Sequence, residues 1–209
     1  MKSWYHLRSP RRAREIVLLV GIAASSCAHA DPAADAAAGQ TAFTQGDIVG
    51  AIASYRRAAE QGYAPAQVRL GDILDYSELN EEAVTWYRKA ADQGSPSGAY
   101  GLAHMYAIGE GVKRDDAAAR QWFEKAAAAG HQGALQALAS ASEQGGLGIE
   151  PDPARALAFV RSAVDLPGGA WAAERLAGAY TRGELGLAPD PAQAEQYAKR
   201  AKQASAPAP

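Results

Sequence analysis

Histidine, cysteine and paired carboxylates are the side chains of this 209-residue chain that could do chemistry. His104 and His131 stand 27 residues apart, a spacing that matches no zinc-binding pattern. Neither a Gly-x-Ser-x-Gly elbow nor a phosphate loop followed by lysine occurs. Asp115 and Asp116 could form an acid–base pair, but adjacent acids at a helix start are better explained by capping and the helix dipole. The sequence therefore predicts a protein that is not an enzyme and holds no cofactor or metal.

The charge distribution bears on the class of partner. Formal net charge is -2, although the first fifteen residues carry five basic groups against one acid. Without that segment the chain has 16 basic and 22 acidic residues, a balance of about -6. An acidic protein is poorly suited to neutralising phosphates, so no nucleic-acid partner is expected. The hydrophobic fraction of 48% is rich in alanine, which favours closely packed helices.

The amino terminus has the layout of a secretory signal. A basic stretch that includes Arg11, Arg12 and Arg14 precedes the apolar run 16–24, which is too short to span a bilayer. Small residues at Ala28 and Ala30 predict cleavage after Ala30. Residues 1–30 are therefore predicted to be a signal peptide, and the mature chain is predicted to be periplasmic or secreted, with no transmembrane span.

Cys27 offers a competing interpretation of the same segment. Residues 24–27 (ASSC) are a degenerate version of the box that precedes a lipidated cysteine. Lipidation of Cys27 would tether the protein to a membrane. Because Cys27 is the only cysteine, no internal disulfide can form in either case.

An internal repeat decides the predicted fold. Residues 86–91 (WYRKAA) and 122–127 (WFEKAA) are near copies 36 residues apart. The same pattern recurs more weakly at 54–59, 159–164 and 197–202, which makes five repeats. Each of four leucines follows a turn glycine by eight residues and a small residue by four: Leu70, Leu102, Leu138 and Leu176. Offsets of four and three place these residues, and the stripe Ala83, Tyr87 and Ala90, on single helix faces.

These landmarks resemble those of a known family. Leu102-Ala103, Tyr106, Gly109-x-Gly111-Val112, Asp115, Ala119 and Gly130, together with 122–127, resemble the Sel-one-like repeat of the tetratricopeptide-like superfamily. The resemblance implies an all-α, right-handed α/α solenoid of about five helix-turn-helix repeats over residues 31–202. The predicted repeats are about 36–62, 63–94, 95–130, 131–167 and 168–202, followed by a disordered tail at 203–209.

The resemblance also implies a function. Proteins of this family serve as adaptors, and exported bacterial members occur around envelope and polysaccharide-secretion machinery. The expected role is a scaffold with a protein or peptide partner in the cell envelope, and the alternative is a lipoprotein assembly factor. The remaining hypothesis is a β-lactam-binding hydrolase like the cysteine-rich members, although this chain lacks their cysteines.

A binding groove can be predicted by transferring the tetratricopeptide arrangement to first-helix positions. An acidic groove that carries aromatic residues would suit a basic or extended peptide. The alternative is that these are ordinary solvated helix positions, with Trp171 packed against the nearby proline-glycine turn. The predicted groove residues are Asp72, Asp75, Tyr76, Tyr100, His104, Gln136, Glu143, Trp171, Glu174 and Arg182.

Overall fold

A computed structural model describes residues 31–205. The predicted signal peptide, its cleavage after Ala30 and Cys27 concern residues that lie outside this range. Within it the chain forms ten helices: α1 Pro32–Thr44, α2 Ile48–Glu60, α3 Ala64–Tyr76, α4 Asn80–Asp92, α5 Pro96–Ile108, α6 Asp116–Ala128, α7 Gln132–Gln144, α8 Pro153–Val164, α9 Ala170–Arg182 and α10 Pro191–Ser205. The predicted all-α fold of helix-turn-helix repeats is confirmed. None of the helices in residues 31–205 combines the length and apolar character needed to cross a membrane.

The helices group into two compact units, divided between Asp115 and Asp116. The N-terminal unit contains α1–α5, in which each helix packs on the next and α3 also contacts α5. The C-terminal unit contains α6–α10, again with each helix packed on its successor.

The turns between helices occur at recurring glycines and N-capping residues. Gly62, Gly94, Gly130 and Gly168 all adopt positive φ between 78° and 86°, the region that favours glycine. Asp47, Ser95 and Asp152 accept backbone hydrogen bonds as N-caps, at Gly50, Gly98 and Ala154 respectively. The repeated glycines and caps therefore fix where successive helices end and begin.

The core is built from the repeated positions. The four leucines that follow the turn glycines are completely buried, as are the small residues Ala66, Ala134 and Ala172. The stripe on α4 is also buried, with Ala83 and Ala90 at 0% and Tyr87 at 4% exposure. Small residues at the contacts let neighbouring helices approach closely, and the leucines fill the space between them.

The last helix extends beyond the predicted boundary of the repeat domain. Helix α10 continues to Ser205, so residues 203–205, expected as part of a disordered tail, are helical. Buried Ala201 anchors this turn, and the Ser205 hydroxyl donates a 2.9 Å hydrogen bond to the Ala201 carbonyl. Residues 206–209 lie outside the described range.

Candidate binding surfaces

In the C-terminal unit, helices α7 and α9 enclose an open concavity of about 460 Å³, called here the α7/α9 concavity. Its wall includes all five groove residues that the sequence predicts for this unit. It is lined by Gln136, Ala139, Ser140, Glu143, Gln144, Trp171, Glu174, Arg175, Gly178 and Arg182. The five residues that repeat positions predicted for this unit therefore lie together around one concavity.

Trp171 is held in place from outside the concavity. Its indole N–H donates a 2.8 Å hydrogen bond to Oε1 of Gln132, the first residue of α7. The Gln132 amide in turn donates to the carbonyls of Ala163 and Leu166, at 3.0 and 3.3 Å. Trp171 thus lines the concavity and is also tied, through Gln132, to the turn after α8.

Arg175 lies in the α7/α9 concavity and was missed by the sequence argument. Its guanidinium donates to both carboxylate oxygens of Glu143, at 3.0 and 2.8 Å, and to Glu184 at 2.8 Å. The hydrogen bond to Glu143 is the largest of the effects that raise the pKa of Arg175. Arg182 also donates to Glu184, at 2.5 Å. Because a sequence does not show which side chains meet across helices, nothing at position 175 indicated this network.

The same network changes the role of Glu143. Its carboxylate is engaged by Arg175, and its side chain is only 22% exposed. Gln136, Gln144 and Glu174 are exposed around it. The concavity is therefore lined by the ion pair between Arg175 and Glu143, by the Trp171 indole and by exposed polar side chains.

In the N-terminal unit, the buried ring of Tyr87 on α4 packs against both α3 and α5. An added Cβ at Gly71 or Gly101 would lie 2.7 or 2.6 Å from the Tyr87 ring, so both glycines make room for it. The Tyr87 hydroxyl donates a 3.0 Å hydrogen bond to Oδ1 of Asp72. Burial is the main cause that raises the pKa of Tyr87, and Asp72 raises it further. The sequence placed Tyr87 in a buried stripe but gave no sign of this hydrogen bond.

Carboxylates cluster near the C-terminal ends of these two helices. Burial raises the pKa of Asp72, against the opposing effects of Tyr87 and Arg69. Burial likewise raises the pKa of Asp75, which His104 lowers and Glu110 and Asp72 raise. Asp72 and Asp75 lie on α3 and His104 lies on α5, two helices that are in contact.

The remaining predicted residues of the N-terminal unit also lie on α3 and α5. Tyr76 is 44% exposed at the end of α3, and Tyr100 is partly buried on α5, where it acts electrostatically on Tyr87. The ten predicted groove residues therefore form two sets of five, one in each unit. Among residues 31–205, no group of three or more His, Cys, Asp or Glu side chains is placed to hold a metal ion.

Comparison with protein families gives one match that spans most of the chain. The matching family model is described as Sel1 repeat. It matches residues 44–63, 64–95, 96–131, 134–167 and 172–205.

Two curated relatives are similar over part of their length. A protein of Neisseria meningitidis serogroup B, named as uncharacterized, is 34% identical over 129 residues, which are 60% of this chain and 27% of that protein. Chitin synthase regulatory factor 3 of Schizosaccharomyces pombe is 33% identical over 109 residues, which are 49% of this chain and 12% of that protein. The chain thus spans about a quarter of the first relative and about an eighth of the second.

Solved structures give similar matches over most of the chain. A Sel1 repeat protein from Oxalobacter formigenes has a TM-score of 0.70 and 28% identity, covering 84% of this chain and 74% of that one. A protective antigen of uropathogenic Escherichia coli with an SLR fold has a TM-score of 0.66 and 27% identity, covering 93% and 41%. A third, from Klebsiella pneumoniae, shares the fold at 19% identity with a TM-score of 0.56, covering 94% and 93%.

Proposed function

Because the chain belongs to the Sel1 repeat family, we propose that it acts as an exported interaction scaffold or adaptor in the cell envelope, and not as an enzyme. Sel1 repeat proteins generally mediate protein–protein interaction. One relative is named as a regulatory factor of chitin synthase, which supports an adaptor role for the family. Fold alone does not establish function, so the proposal depends on the surface itself.

The α7/α9 concavity is the observation that carries the proposal. It combines the Trp171 indole, fixed by Gln132, with exposed amides at Gln136 and Gln144. A rigid aromatic side chain contributes contact area at little entropic cost, and a carboxamide can both donate to and accept from a peptide backbone. The concavity is therefore suited to an extended protein segment, and its open shape lacks the enclosure of a typical small-molecule site.

Export is supported by the sequence pattern of residues 1–30, and the first helix begins after that segment. Asp31 accepts a 3.0 Å hydrogen bond from the Ala33 backbone and caps α1. Cleavage after Ala30 would retain this cap. A tether at Cys27 would retain it as well and would make the protein a lipoprotein assembly factor.

The mature amino terminus distinguishes these two forms. Mass spectrometry of the protein purified from bacterial envelopes should give a chain that begins at Asp31. A lipidated Cys27 would establish the tethered alternative, and an intact Met1 in the envelope-associated protein would contradict both.

Site-specific photo-crosslinking tests the concavity. A benzophenone amino acid at Gln136 should yield a discrete crosslinked partner in envelope preparations. The same group at exposed Gln121 on α6, a residue outside the concavity, is the matched control and should not. Equal crosslinking from both positions would contradict the proposal, and turnover of a chromogenic β-lactam by the purified protein would support the hydrolase hypothesis instead.

A charge reversal at Glu174 complements the crosslinking. Glu174→Arg should abolish the Gln136 crosslink without loss of helicity by circular dichroism, because Glu174 is an exposed rim residue. Glu143 and Asp72 are poorer choices, since each accepts an internal hydrogen bond, from Arg175 and Tyr87 respectively. An unchanged crosslink in Glu174→Arg would exclude that carboxylate from the interface.

A further inference from the structure

Two large apolar side chains are exposed at equivalent positions of the N-terminal unit. Tyr76 ends α3 and Ile108 ends α5, with 44% and 45% of their surface exposed. Each follows the turn glycine of its repeat by fourteen residues. Helices α3 and α5 are in contact, and Asp75 at the end of α3 is influenced by Glu110 just after α5. The two apolar side chains therefore lie at neighbouring helix ends.

The fold does not require apolar residues at this repeat position. In the C-terminal unit the residues that follow a turn glycine by fourteen are Gln144 and Arg182, both polar and exposed. The helices that carry them end at the same position in the repeat without an apolar side chain. The repeat fold therefore does not explain why Tyr76 and Ile108 are apolar and exposed. Neighbouring exposed apolar residues are typical of interaction surfaces.

Acidic residues lie at the same two helix ends as the apolar residues, since Asp72 and Asp75 precede Tyr76 on α3 and Glu110 follows Ile108. Asp72 and Glu110 both act electrostatically on Asp75, and Arg69 approaches Asp72 at 3.6 Å. Apart from the exposed imidazole of His104, the charged groups that act on Asp75 are carboxylates. Neighbouring cations compensate the charge of these acids only in part, which favours a cationic partner. Hydrogen-bonded pairs between guanidinium and carboxylate are among the stronger polar contacts.

We infer that the acidic–apolar face, formed by Asp72, Asp75, Tyr76, Ile108 and Glu110, docks a protein segment in which arginine or lysine flanks apolar residues. Packed helices lie roughly 8–10 Å apart, and a segment in the polyproline II conformation advances about 3.1 Å per residue and brings every third side chain to the same face. Apolar residues about three positions apart would thus reach Tyr76 and Ile108 together, with the basic residues beside the carboxylates. The inference takes the interaction role from the proposed function but assigns it a second surface and a partner chemistry.

A labelled peptide tests the acidic–apolar face in the full mature chain. The probe is a fluorescein-labelled synthetic peptide that repeats Leu-Arg-Ser, and fluorescence anisotropy measures its binding. The double variant Tyr76→Gln with Ile108→Gln introduces the residue that the repeat itself uses at position 144, so it should fold normally. It should weaken binding about tenfold or more, since the peptide would lose its apolar contacts. Asp75→Asn should weaken binding and reduce its dependence on salt.

Val49→Gln is the matched control. Val49 on α2 is 46% exposed and lies outside the face, so its replacement should leave the affinity unchanged. The inference is overturned if a Leu-Glu-Ser peptide binds equally well, or if Val49→Gln weakens binding as much as the double variant. Self-association that the double variant abolishes, without peptide binding, would assign the face to a second copy of the chain. Glu174→Arg should not affect the peptide, so failure here is distinguishable from failure at the α7/α9 concavity.

Discussion

The indole N–H of Trp171 is hydrogen-bonded at 2.8 Å to the side chain of Gln132, which lies 39 residues earlier in the chain. Gln132 also caps the end of α8 through the carbonyls of Ala163 and Leu166. The Gln132 side-chain amide therefore donates to carbonyls at the end of α8 and also orients the Trp171 indole that lines the α7/α9 concavity. This makes Gln132 a positioning residue for that surface, although it is absent from the concavity lining.

Replacement of Gln132 by alanine should affect both stability and Trp171. Loss of these hydrogen bonds should lower the free energy of unfolding by about 1–2 kcal/mol, measured by urea denaturation. The fluorescence of Trp171, isolated by comparison with Trp171→Phe variants, should change as the indole loses its hydrogen bond. Gln121→Ala is the control at an exposed helix position and should change neither quantity. An unchanged Trp171 emission in Gln132→Ala would show that packing alone orients the indole.

Gly71 and Gly101 should tolerate no side chain, because the Tyr87 ring lies against both. A Cβ at either position would stand 2.7 or 2.6 Å from ring carbons. Gly101→Ala should therefore destabilise the N-terminal unit by about 1–3 kcal/mol, despite the higher helix propensity of alanine. Ser97→Ala on the same helix, at an exposed position, serves as the comparison. Stabilisation of Gly101→Ala in urea denaturation would mean that Tyr87 does not occupy this slot.

The pH dependence of stability should reveal Asp72. Its raised pKa means that the folded state retains a proton at pH values where the unfolded state has lost it, so Asp72 makes stability fall as pH rises through this window. Asp72→Asn keeps an acceptor for the Tyr87 hydroxyl. It should increase the free energy of unfolding at pH 7, and the gain should shrink as pH approaches the ordinary aspartate range. The gain should stay under about 1 kcal/mol, because 41% of the side chain is exposed to solvent screening.

Urea denaturation between about pH 4 and 7 measures this effect, since an unperturbed aspartate titrates near 3.9. Ser97→Ala, an exposed substitution on α5 that changes no titratable group, provides the control and should leave the pH profile unchanged. A gain for Asp72→Asn that is the same at both ends of the range would mean that proton uptake is not its source.

The repeat was predictable because burial imposes a period on the sequence. Residues such as Leu102 and Ala126 recur at fixed intervals, and each is completely buried. The same periods predicted the groove positions as those that the core does not use, and five of the predicted residues line the α7/α9 concavity. Polar contacts were not predictable in this way. The link from Arg175 to Glu143 joins residues 32 apart, and it depends on side-chain reach between two helices, which leaves no periodic trace.

The C-terminal end of the last helix is another feature that the sequence pattern did not predict. The segment 203–209 lacks large apolar residues, which predicted disorder from residue 203 onward. Helix α10 nevertheless runs to Ser205, because a helix that is already anchored can extend for a turn at little cost. Composition therefore did not predict the residue at which this helix ends.

Ser142 is a departure from the repeat that makes its own prediction. Tyr106 and Tyr180 occupy the equivalent positions, and the Asp152 backbone N–H donates to the Ser142 carbonyl just as the Asp190 N–H donates to Tyr180. The Ser142 side chain is completely buried, and its hydroxyl has no hydrogen-bond partner among the described residues. A buried hydroxyl without a partner is costly, so Ser142→Ala should raise the free energy of unfolding by about 1 kcal/mol.

The matched substitution is Ser162→Ala on α8. Its hydroxyl is exposed and donates a 2.9 Å hydrogen bond to the Ala158 carbonyl, so its removal should give no comparable gain. Both variants can be measured by urea denaturation at one pH. Destabilisation in Ser142→Ala would mean that the hydroxyl is hydrogen-bonded in solution, as a buried water would allow. Stabilisation would show that serine at this position costs folding free energy, which makes position 142 a site where the repeat can be strengthened by removing one oxygen atom.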